Sequence, residues 1–371
     1  MNAEKSERRG VVEKGEAAGP RVAILLPCLI FGGAERAVLT LARALTQLGC
    51  RVSILLLSHE GQLLEEAKRE WRVVDLQCRR TKYLPHRLVA YLSANPTDIL
   101  LSNFWKLNLC ACIARTRFPN LRLLLWEHGH PSASRNSPNI LFATSASILY
   151  RMASKVICVS SGVAHDVLDL TLGLKSRVMV INNPVPPPEP TPPRSRSGAK
   201  RIAWVGRLHE EKNPRLLIDA FVLIASEVDA ELLFIGDGVM RAELEAMSAQ
   251  SGVGERIIFA GFVNNPNDLL IDCDLLVSTS NWEGFGNVLV EAMYSGLSVV
   301  STDSGGGVDD IIGESTYGSI VPRGDARALA QSIVAELASP RDPEHQKRGA
   351  RRFLPRTIAA QFIAAAGVYR S

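Results

Sequence analysis

The segment NWEGFGNVLVEAMYSGLSVVSTD, residues 281–303, joins a glycine-containing turn to a helical pattern and to the start of a strand. An apolar run over residues 275–278 precedes it and is typical of a buried strand. After the turn, the apolar residues from Val288 to Met293 follow helical spacing, and Gly296 is typical of a helix C-terminus. The segment therefore predicts a β-strand, α-helix, β-strand unit whose turn lies at a sheet edge where ligands bind.

Two carboxylates lie on the turn and helix of this unit, at Glu283 and Glu291. Eight helical residues span about 12 Å, so the two side chains suit separate contacts on an extended ligand better than one acid–base couple. We expect the backbone N–H groups at the helix start to favour a phosphate, and Glu291 to accept from sugar hydroxyls. An ordinary turn with two surface acids is the alternative. The predicted donor contacts of the segment are Phe285, Gly286, Asn287, Val288 and Glu291.

This spacing resembles the E-x7-E signature of the family 4 glycosyltransferases, and four further segments are similar to that family in the same order over residues 21–353. The resemblance implies the α/β fold called GT-B, in which two Rossmann-like, doubly wound domains face a central cleft. It also implies transfer of a sugar with retention of the anomeric configuration. By the same resemblance, Glu283 lies near the donor sugar and Glu291 binds the ribose of the nucleotide.

The 371-residue length predicts two domains, and a hydrophobic content of 46% is normal for a protein with buried cores. Residues 1–20 are polar and predict a disordered tail without a signal peptide. Seven prolines between residues 184 and 197 are typical of a semi-rigid linker. The predicted units are the tail (1–20), an acceptor-side Rossmann-like domain (21–183), the linker (184–199), a nucleotide-sugar-binding Rossmann-like domain (200–353) and a terminal helix (354–371) packing back on the first domain.

A glycine pair, Gly32 and Gly33, follows the apolar run 21–27 and precedes a helix predicted over residues 37–48. Glycines here let a ligand approach the backbone, and the helix N-terminus favours a phosphate. By the resemblance, the pair lies beside the donor diphosphate and the acceptor pocket. Neither half of the sequence contains a G-x-G-x-x-G run, which disfavours a dinucleotide-dependent dehydrogenase.

The strand predicted over residues 121–126 ends in Glu127-His128-Gly129-His130. Ligands bind at the carboxyl ends of strands in doubly wound sheets, so a histidine here is a candidate site residue. By the resemblance, a residue at this place faces the donor sugar, and we favour His128 over His130. A purely structural histidine is the alternative. A metal site is not predicted, because no third ligand lies nearby in the sequence.

In the second half, the apolar run 201–205 leads into Gly206-Arg207-Leu208 and then Lys212, which resembles the G-R-L-x-x-x-K segment of the family. The planar guanidinium of Arg207 and the point charge of Lys212 suit the two phosphates of a diphosphate, and both stabilise charge on a leaving group. Because two cations lie here, we predict catalysis without a divalent metal. The D-x-D pattern of Asp272 and Asp274 is interpreted as a helix-end turn.

The glycines Gly236 and Gly238 follow the next predicted strand and are similar to the family's G-D-G turn, which lies near the nucleotide. No cofactor is expected beyond the nucleotide-sugar donor. The predicted catalytic residues are Arg207, Lys212, Glu283 and His128. Beyond the segment 281–303, the predicted donor contacts are Gly32, Gly33, Gly206, Gly236 and Gly238.

The net charge of +4 conceals a split between the two halves. Residues 21–183 hold 20 basic and 10 acidic residues, a net charge of +10, whereas residues 200–353 hold 14 and 23, a net charge of −9. The acidic half argues against nucleic acid as a partner of both domains. The basic half and the mixed basic and apolar stretch 79–92 predict a membrane or acceptor face. Its basic residues are Arg79, Arg80, Lys82 and Arg87.

A solvated helix with an apolar core stripe is the alternative interpretation of residues 79–92. No apolar run reaches the roughly 18 residues of a membrane span, and seven scattered cysteines lack zinc spacing. We therefore expect a cytoplasmic protein, peripherally associated with an anionic membrane surface at its cytoplasmic face.

The resulting hypothesis is a retaining glycosyltransferase in cell-surface polysaccharide or glycoconjugate synthesis. It moves a hexosyl or N-acetylhexosaminyl unit from a nucleotide sugar, UDP by resemblance, to a glycan or polyprenyl-diphosphate-linked acceptor. Two alternatives stay open, a sugar-nucleotide epimerase of the same fold and a non-catalytic nucleotide-sugar-binding protein. The donor sugar, the acceptor, the linkage and the oligomeric state are not predicted.

Overall fold

The computed structural model describes residues 19–78, 80–133, 140–171, 173–189 and 198–368. The predicted tail therefore lies almost wholly outside the described residues, as do half of the linker and the last three residues. Each half of the chain forms one parallel sheet, with helices connecting the strands. The structure confirms the predicted α/β architecture of two doubly wound sheets.

The first sheet has seven strands in the order β3-β2-β1-β4-β5-β6-β7. Its strands are β1 (Arg21–Leu26), β2 (Arg51–Leu56), β3 (Arg72–Asp75), β4 (Ile99–Asn103), β5 (Arg122–Glu127), β6 (Lys155–Cys158) and β7 (Val178–Val180). The connecting helices are α1 (Gly33–Gln47), α2 (Leu64–Glu70), α3 (Leu84–Ala94), α4 (Trp105–Arg115), α5 (Ile140–Leu149) and α6 (Ser161–Leu170).

The second sheet has six strands in the order β10-β9-β8-β11-β12-β13. Its strands are β8 (Lys200–Val205), β9 (Ala230–Ile235), β10 (Ile257–Gly261), β11 (Leu275–Ser278), β12 (Ser298–Thr302) and β13 (Ser319–Val321). Its helices are α7 (Pro214–Ile224), α8 (Arg241–Gln250), α9 (Asn267–Leu270), α10 (Asn287–Tyr294), α11 (Gly307–Ile312), α12 (Ala326–Ala338) and α13 (Pro343–Ala350), and α14 (Pro355–Ala366) follows them.

Strand order reverses between β1 and β4 in the first sheet and between β8 and β11 in the second. At such a reversal, the loops leaving the carboxyl ends of the two strands diverge and open a crevice for a ligand. The glycine pair 32–33 follows β1, and the loop with Lys212 follows β8. The turn that precedes α10 follows β11. The fold therefore places these predicted segments at the two crevices.

Helix α1 begins earlier than the sequence pattern predicts. The prediction started the helix at Ala37, but it starts at Gly33, because Gly32 is the extended residue before the first turn. The Arg36 N–H donates to the Gly32 carbonyl over 3.0 Å and closes that turn. The glycine turn is therefore shorter than predicted, and Glu35 belongs to the helix.

The last helix, α14, belongs spatially to the first sheet. It packs against α1, and the Phe362 ring meets the Trp126 ring of β5 edge-on at 4.8 Å. Both aromatic side chains are buried. The chain therefore passes from the first domain to the second and back. Within the described residues, no helix is both long and apolar enough to cross a bilayer.

Candidate functional site

The loops after β8 and β11 bring Lys212 and Glu283 into direct contact. Their side chains form an ion pair and are only 19% and 20% exposed. Ser280 Oγ also donates to this carboxylate over 3.0 Å. Two of the predicted catalytic residues therefore lie together, and Lys212 is already paired with a carboxylate.

The backbone beneath this ion pair is held by buried polar groups. Thr279 Oγ1 donates to the Lys212 carbonyl over 2.8 Å, and Trp204 Nε1 donates to Thr279 Oγ1 over 2.9 Å. Thr279 and Trp204 are almost completely buried. Because both partners are fixed in the core, the loop that carries Lys212 is tied to β11.

Arg207 differs from Lys212 in being largely free of the protein. Its side chain is 72% exposed, and the ion pair that it forms within the described residues is a 3.6 Å contact with Glu211; such exposed pairs contribute little. Glu35 of α1 lies across the cleft from Arg207. Burial raises the pKa of Glu35, and the positive charge of Arg207 partly opposes this increase. The structure thus places Arg207 opposite α1, and the two cations do not form one prearranged pair.

Glu35 is a site residue that the sequence analysis missed. It lies in the first turn of α1 and is 7% exposed. A Cβ on Gly32 would lie 2.4 Å from Glu35 Oε2, so the carboxyl group covers the glycine. The predicted phosphate position at this helix start therefore holds an acid. Burial raises the pKa of Glu35 and favours its neutral form, which tolerates a phosphate better than a carboxylate would.

At the start of α10, Phe285 can take part only through its backbone, the part of the residue for which the sequence predicts a phosphate contact. Its side chain is 2% exposed and packs edge-on against Phe353, with ring centroids 5.3 Å apart, so only its backbone can contact a donor. Gly286 has a φ of 101°, a conformation that glycine adopts without strain. Val288 is also packed against the core. Side-chain contacts with a donor are thus limited to other residues of the segment.

Asn287 connects the two domains. Its Nδ2 donates to the Gly33 carbonyl over 3.2 Å, and its Oδ1 accepts from Asn183 Nδ2 over 2.9 Å. The glycine pair after β1 and the start of α10 therefore face each other directly. The Asn287 side chain is engaged in this link, which leaves its backbone N–H for a ligand.

Glu291 lies near a second group of residues that the sequence analysis did not single out. Burial raises the pKa of Glu291 while the charge of Arg36 lowers it, and no hydrogen bond to its carboxylate occurs among the described residues. Arg36 Nη2 donates to the Asn264 carbonyl over 3.0 Å, and its guanidinium lies 4.3 Å from the Phe31 ring centroid. Phe31 meets Phe262 edge-on at 5.1 Å. The sequence run FGGAER, which continues past the predicted glycine pair, could have indicated Phe31 and Arg36 as candidate site residues.

The glycines of the second domain pack loop against loop. A Cβ on Gly236 would lie 1.9 Å from the Gly206 carbonyl oxygen, and a Cβ on Gly238 would lie 2.4 Å from that of Leu208. At Gly206, a Cβ would lie 3.2 Å from the Trp204 ring. These glycines are explained by close backbone approach, and their predicted donor contacts stay predictions.

His128 has a defined tautomer because of its neighbour Asn103. Asn103 Nδ2 donates to the Leu25 carbonyl over 2.9 Å, so its Oδ1 is the atom that accepts from His128 Nε2, at 2.8 Å. The proton therefore lies on Nε2, and the buried Nδ1 has no hydrogen-bond partner among the described residues. Burial lowers the pKa of His128 to about 3. The side chain is thus a neutral acceptor, suited to a sugar hydroxyl rather than to acid catalysis.

His128 is also placed against the second domain. Its ring packs between Phe104 and Trp126, with centroids 5.1 and 4.3 Å away. A Cβ on Gly284 would lie only 2.0 Å from the His128 carbonyl oxygen. The turn that carries Glu283 therefore touches the end of β5. His130 lies instead near Gly305, whose Cβ position is 3.4 Å from His130 Nε2.

The two domains also meet away from these catalytic candidates. Gly162 of the first domain lies against the backbone of Gly305 of the second, since a Cβ on Gly162 would be 2.2 Å from the Gly305 carbonyl oxygen. Asp310 of the second domain accepts from the Ser161 N–H at the start of α6 over 2.8 Å, and from Asn182 Nδ2 over 3.2 Å. The described conformation is therefore one in which the cleft is closed at this side.

A buried acid cluster lies beneath His128. Glu127 is 2% exposed and accepts from Asn108 Nδ2 over 2.7 Å and from the Tyr150 hydroxyl. Burial raises the pKa of Glu127 to about 7 although both hydrogen bonds act in the opposite direction. The strand end that presents His128 thus rests on an acid that is largely neutral below pH 7.

Glu127→Gln should change how stability depends on pH. The folded-state pKa of Glu127 is raised from 4.5 to about 7. The stability that its protonated carboxyl group contributes is therefore fully present below pH 4.5 and is lost as the pH rises through about 7. The depressed pKa of His128 changes stability with pH in the opposite direction, but this effect is the same in wild type and in E127Q. We expect the free energy of unfolding of E127Q, relative to wild type, to increase by about 1–3 kcal/mol between pH 5 and 7.5. Denaturant titrations at both pH values test this, and a constant difference would contradict it.

The leucines of the basic stretch 79–92 do not face the surroundings of the protein. Arg79 lies outside the described residues, and Arg80, Lys82 and Arg87 are exposed. The leucines of α3 that form the predicted apolar stripe are buried in the core. They are Leu84, Leu88 and Leu92. The leucine stripe therefore reflects packing on the protein, whereas the basic residues and the exposed Tyr83 remain available to a membrane or acceptor.

The D-x-D pattern lies at the opposite edge of the sheet from the cleft. Asp274 accepts from the Arg201 N–H and from Lys200 Nζ, each over 2.8 Å, just before β11. Within the described part of the chain, no group of three or more His, Cys, Asp or Glu side chains is arranged to hold a metal ion.

Comparison with known sequences groups the chain with sugar transferases. Residues 189–353 match the family described as glycosyl transferases group 1, and residues 31–188 match glycosyltransferase family 4. The lipopolysaccharide core biosynthesis glycosyltransferase LpsE of Rhizobium meliloti is 30% identical over 240 residues, which cover 61% of this chain and 68% of LpsE.

Two Campylobacter jejuni enzymes are also similar. The GalNAc-alpha-(1->4)-GalNAc-alpha-(1->3)-diNAcBac-PP-undecaprenol alpha-1,4-N-acetyl-D-galactosaminyltransferase is 27% identical over 331 residues, 85% of this chain and 89% of that enzyme. The N-acetylgalactosamine-N,N'-diacetylbacillosaminyl-diphospho-undecaprenol 4-alpha-N-acetylgalactosaminyltransferase is 33% identical over 138 residues, and this alignment spans only 37% of either chain.

Solved structures share the arrangement of both domains. A glycosyltransferase from Rickettsia africae superimposes with a TM-score of 0.80 at 19% identity, covering 94% of this chain and 98% of the other. Anabaena Alr3699/HepE in complex with UDP gives a TM-score of 0.79 at 21% identity, covering 94% and 100%. At these identities the likeness concerns the fold.

Proposed function

Because the chain belongs to the group 1 glycosyltransferases of family 4 and has their GT-B fold, we propose that it transfers a hexosyl or N-acetylhexosaminyl unit from a nucleotide sugar, with retention of configuration. The proposed acceptor is a glycan or a lipid-linked saccharide. Relatives named for core lipopolysaccharide and for undecaprenol-linked saccharides support this acceptor class. A neighbour named as a UDP complex supports UDP as the leaving nucleotide.

One observation carries the proposal, the convergence of predicted catalytic residues from two domains. Lys212 and Glu283 form an ion pair in the second domain, and the adjacent Gly284 touches the carbonyl of His128 in the first. A sugar diphosphate in this place would have a cation, a carboxylate and a neutral acceptor nitrogen around its reactive carbon. Such a set suits a transfer in which negative charge grows on the leaving group.

The proposed reaction assigns each residue a part. The bond from the anomeric carbon to the donor phosphate breaks, and a bond to the acceptor oxygen forms on the same face of the sugar. Lys212 and Arg207 stabilise the leaving diphosphate, whose oxygen takes the proton of the acceptor hydroxyl. His128 Nδ1 accepts from a sugar hydroxyl, and Glu291 accepts from the ribose hydroxyls.

The acceptor would be reached at a membrane surface. The first domain carries the excess positive charge, and each basic residue near an anionic surface contributes about 1 kcal/mol. We therefore propose peripheral association with the cytoplasmic face of a membrane through exposed basic residues rather than through a buried apolar stripe. Co-sedimentation with anionic vesicles that persists unchanged in high salt would contradict this electrostatic account.

The central experiment is product analysis with a panel of nucleotide sugars, with and without a saccharide acceptor. A glycosylated acceptor with retained anomeric configuration is the expected result. An altered nucleotide sugar formed without acceptor would indicate an epimerase instead. Donor binding without any turnover across the panel would favour a non-catalytic binding protein.

Glu291→Ala should act mainly on donor binding. Ribose contacts are similar in the ground and transition states, so we expect KM for the donor to rise about tenfold while kcat changes less than threefold. Steady-state kinetics over a range of donor concentrations tests this. Glu245→Ala, which removes an exposed carboxylate from the same domain, is the control. A fall in kcat with KM unchanged would remove Glu291 from the ribose.

Catalysis should proceed without a divalent metal, because Lys212 and Arg207 supply the positive charge at the diphosphate. We expect initial rates to change less than twofold when EDTA is added in excess. Loss of activity in EDTA that magnesium or manganese restores would reject this proposal.

A further inference from the structure

A cavity of about 580 Å³ lies at the amino edge of the first sheet and is lined by five basic side chains and no acidic one. They come from the end of α4, the start of β5, the turn before β6, the start of β6 and the residue before β7. They are Arg115, Arg122, Arg151, Lys155 and Arg177. We infer that this cavity binds a phosphate-bearing ligand that carries two or more negative charges.

The cavity is separate from the cleft described above. Arg122 is the first residue of β5, and Glu127 is the last, followed by His128 at the cleft. A strand of six residues is roughly 20 Å long, so the two sites lie at opposite edges of the sheet. The inference therefore does not depend on the proposed transfer reaction.

Hydrogen bonds to neutral carbonyl groups do not balance the charge of most of these cations. Lys155 Nζ donates to the Ser176 carbonyl over 3.2 Å, and Arg177 Nη1 donates to the Ala153 carbonyl over 2.7 Å. Arg115 makes similar bonds to backbone carbonyls, but its buried Nε has no partner among the described residues. Within the ranges that the structure describes, four of the cations form no ion pair with a carboxylate. They are Arg115, Arg122, Lys155 and Arg177.

Neighbouring negative groups do not account for the cluster. Burial, and then the like charge of Arg122, lowers the pKa of Arg115. Asp98, beside the adjoining cavity, accepts from Arg21 at 2.7 and 2.9 Å. The C-terminal end of α14 also lines the cavity, but a helix end carries only about half a negative charge. A bound anion of higher charge would relieve the repulsion.

Phosphate groups match the chemistry of this cavity. Guanidinium groups bind phosphate oxygens through paired, charge-assisted hydrogen bonds, and a lysine adds a point charge. Such a phosphate can belong to a soluble polyphosphate or to the headgroup of an anionic lipid. The two sources share this chemistry and are separated by the probes used below.

The test compares Arg122→Gln/Lys155→Gln with Arg327→Gln/Arg348→Gln, which removes the same charge from exposed positions of the second domain. Tripolyphosphate binding is measured by calorimetry, and vesicle binding by co-sedimentation with phosphatidylglycerol and with neutral lipid. Arg207→Ala reports any tripolyphosphate bound in the cleft instead. We expect only the cavity variant, Arg122→Gln/Lys155→Gln, to bind tripolyphosphate or anionic vesicles at least roughly tenfold more weakly than wild type. It loses two contacts to a charged ligand.

Each outcome decides the inference. Weaker tripolyphosphate binding in the cavity variant supports a soluble polyphosphate, and weaker binding only to anionic vesicles supports a lipid headgroup. The inference is overturned if both double variants lose binding equally, if only Arg207→Ala loses tripolyphosphate binding, or if wild type binds neither probe. If the cavity double variant fails to fold, Arg122→Gln alone, at an exposed position, gives the same comparison.

Discussion

Lys212→Ala is expected to lower kcat/KM by about 10²–10³-fold, the range found when one preorganised group that stabilises transition-state charge is removed. Lys212 is the partly buried cation of the site, and its loop is held by Thr279. Arg207→Ala should cost less, about 10–100-fold, since its exposed side chain must be ordered by the ligand. The double variant should be less than additive, because both cations act on one diphosphate. Steady-state kinetics with a fixed acceptor measures all three.

Lys200→Ala is the matched control for this prediction. Lys200 also pairs with a carboxylate of the second domain, Asp274, but at the far edge of the sheet and with a half-exposed side chain. We expect its kcat/KM to stay within threefold of wild type. Lys212→Arg should keep part of the activity, because it retains the charge. Activity of Lys212→Ala within threefold of wild type would remove Lys212 from the reaction.

Gly284→Ala is expected to reduce kcat by about 10²-fold with little change in thermal stability. Its Cβ would lie 2.0 Å from the His128 carbonyl oxygen, and because both partners are backbone, the two domains must move apart. A displacement of about 1 Å between reacting groups costs on the order of 10²-fold in rate. The contact lies between domains, so neither sheet loses its own packing.

Gly129→Ala provides the control on the other side of the same contact. A Cβ on Gly129 meets nothing within 4 Å, so kcat should stay near the wild-type value. Thermal melts of both variants should fall within a few degrees of wild type. Gly284→Ala with unchanged kcat would show that closure at this point is not needed for turnover.

The strands were predictable because parallel strands are buried on both faces and therefore appear as continuous apolar runs. The runs 21–27, 201–205 and 275–278 became β1, β8 and β11 with small shifts at their ends. The start of α1 was not predictable from apolar spacing, because its first turn consists of glycine, alanine and an acid. Residues 79–92 show a second limit, since an amphipathic helix has the same sequence pattern whether its leucines face a core or a lipid.

The candidate site was predicted in its residues more than in its contacts. Lys212 and Glu283 lie 71 positions apart, and their ion pair depends on β8 and β11 lying side by side in the second sheet. Glu35 was missed because its carboxyl group folds back over Gly32, a contact that the sequence pattern does not indicate. The burial of the Phe285 ring was not predicted either, because Phe353, which covers it, lies far along the chain.

The return of α14 to the first sheet has a consequence for biosynthesis. Trp126 is translated well before Phe362, the residue that covers it, and the whole second domain is synthesised between them. Until α14 has been synthesised, the first domain therefore keeps an apolar surface exposed on the ribosome, where nascent chains are vulnerable to aggregation. Chaperone binding to stalled chains should consequently persist beyond residue 353 and end once residues 355–366 have emerged.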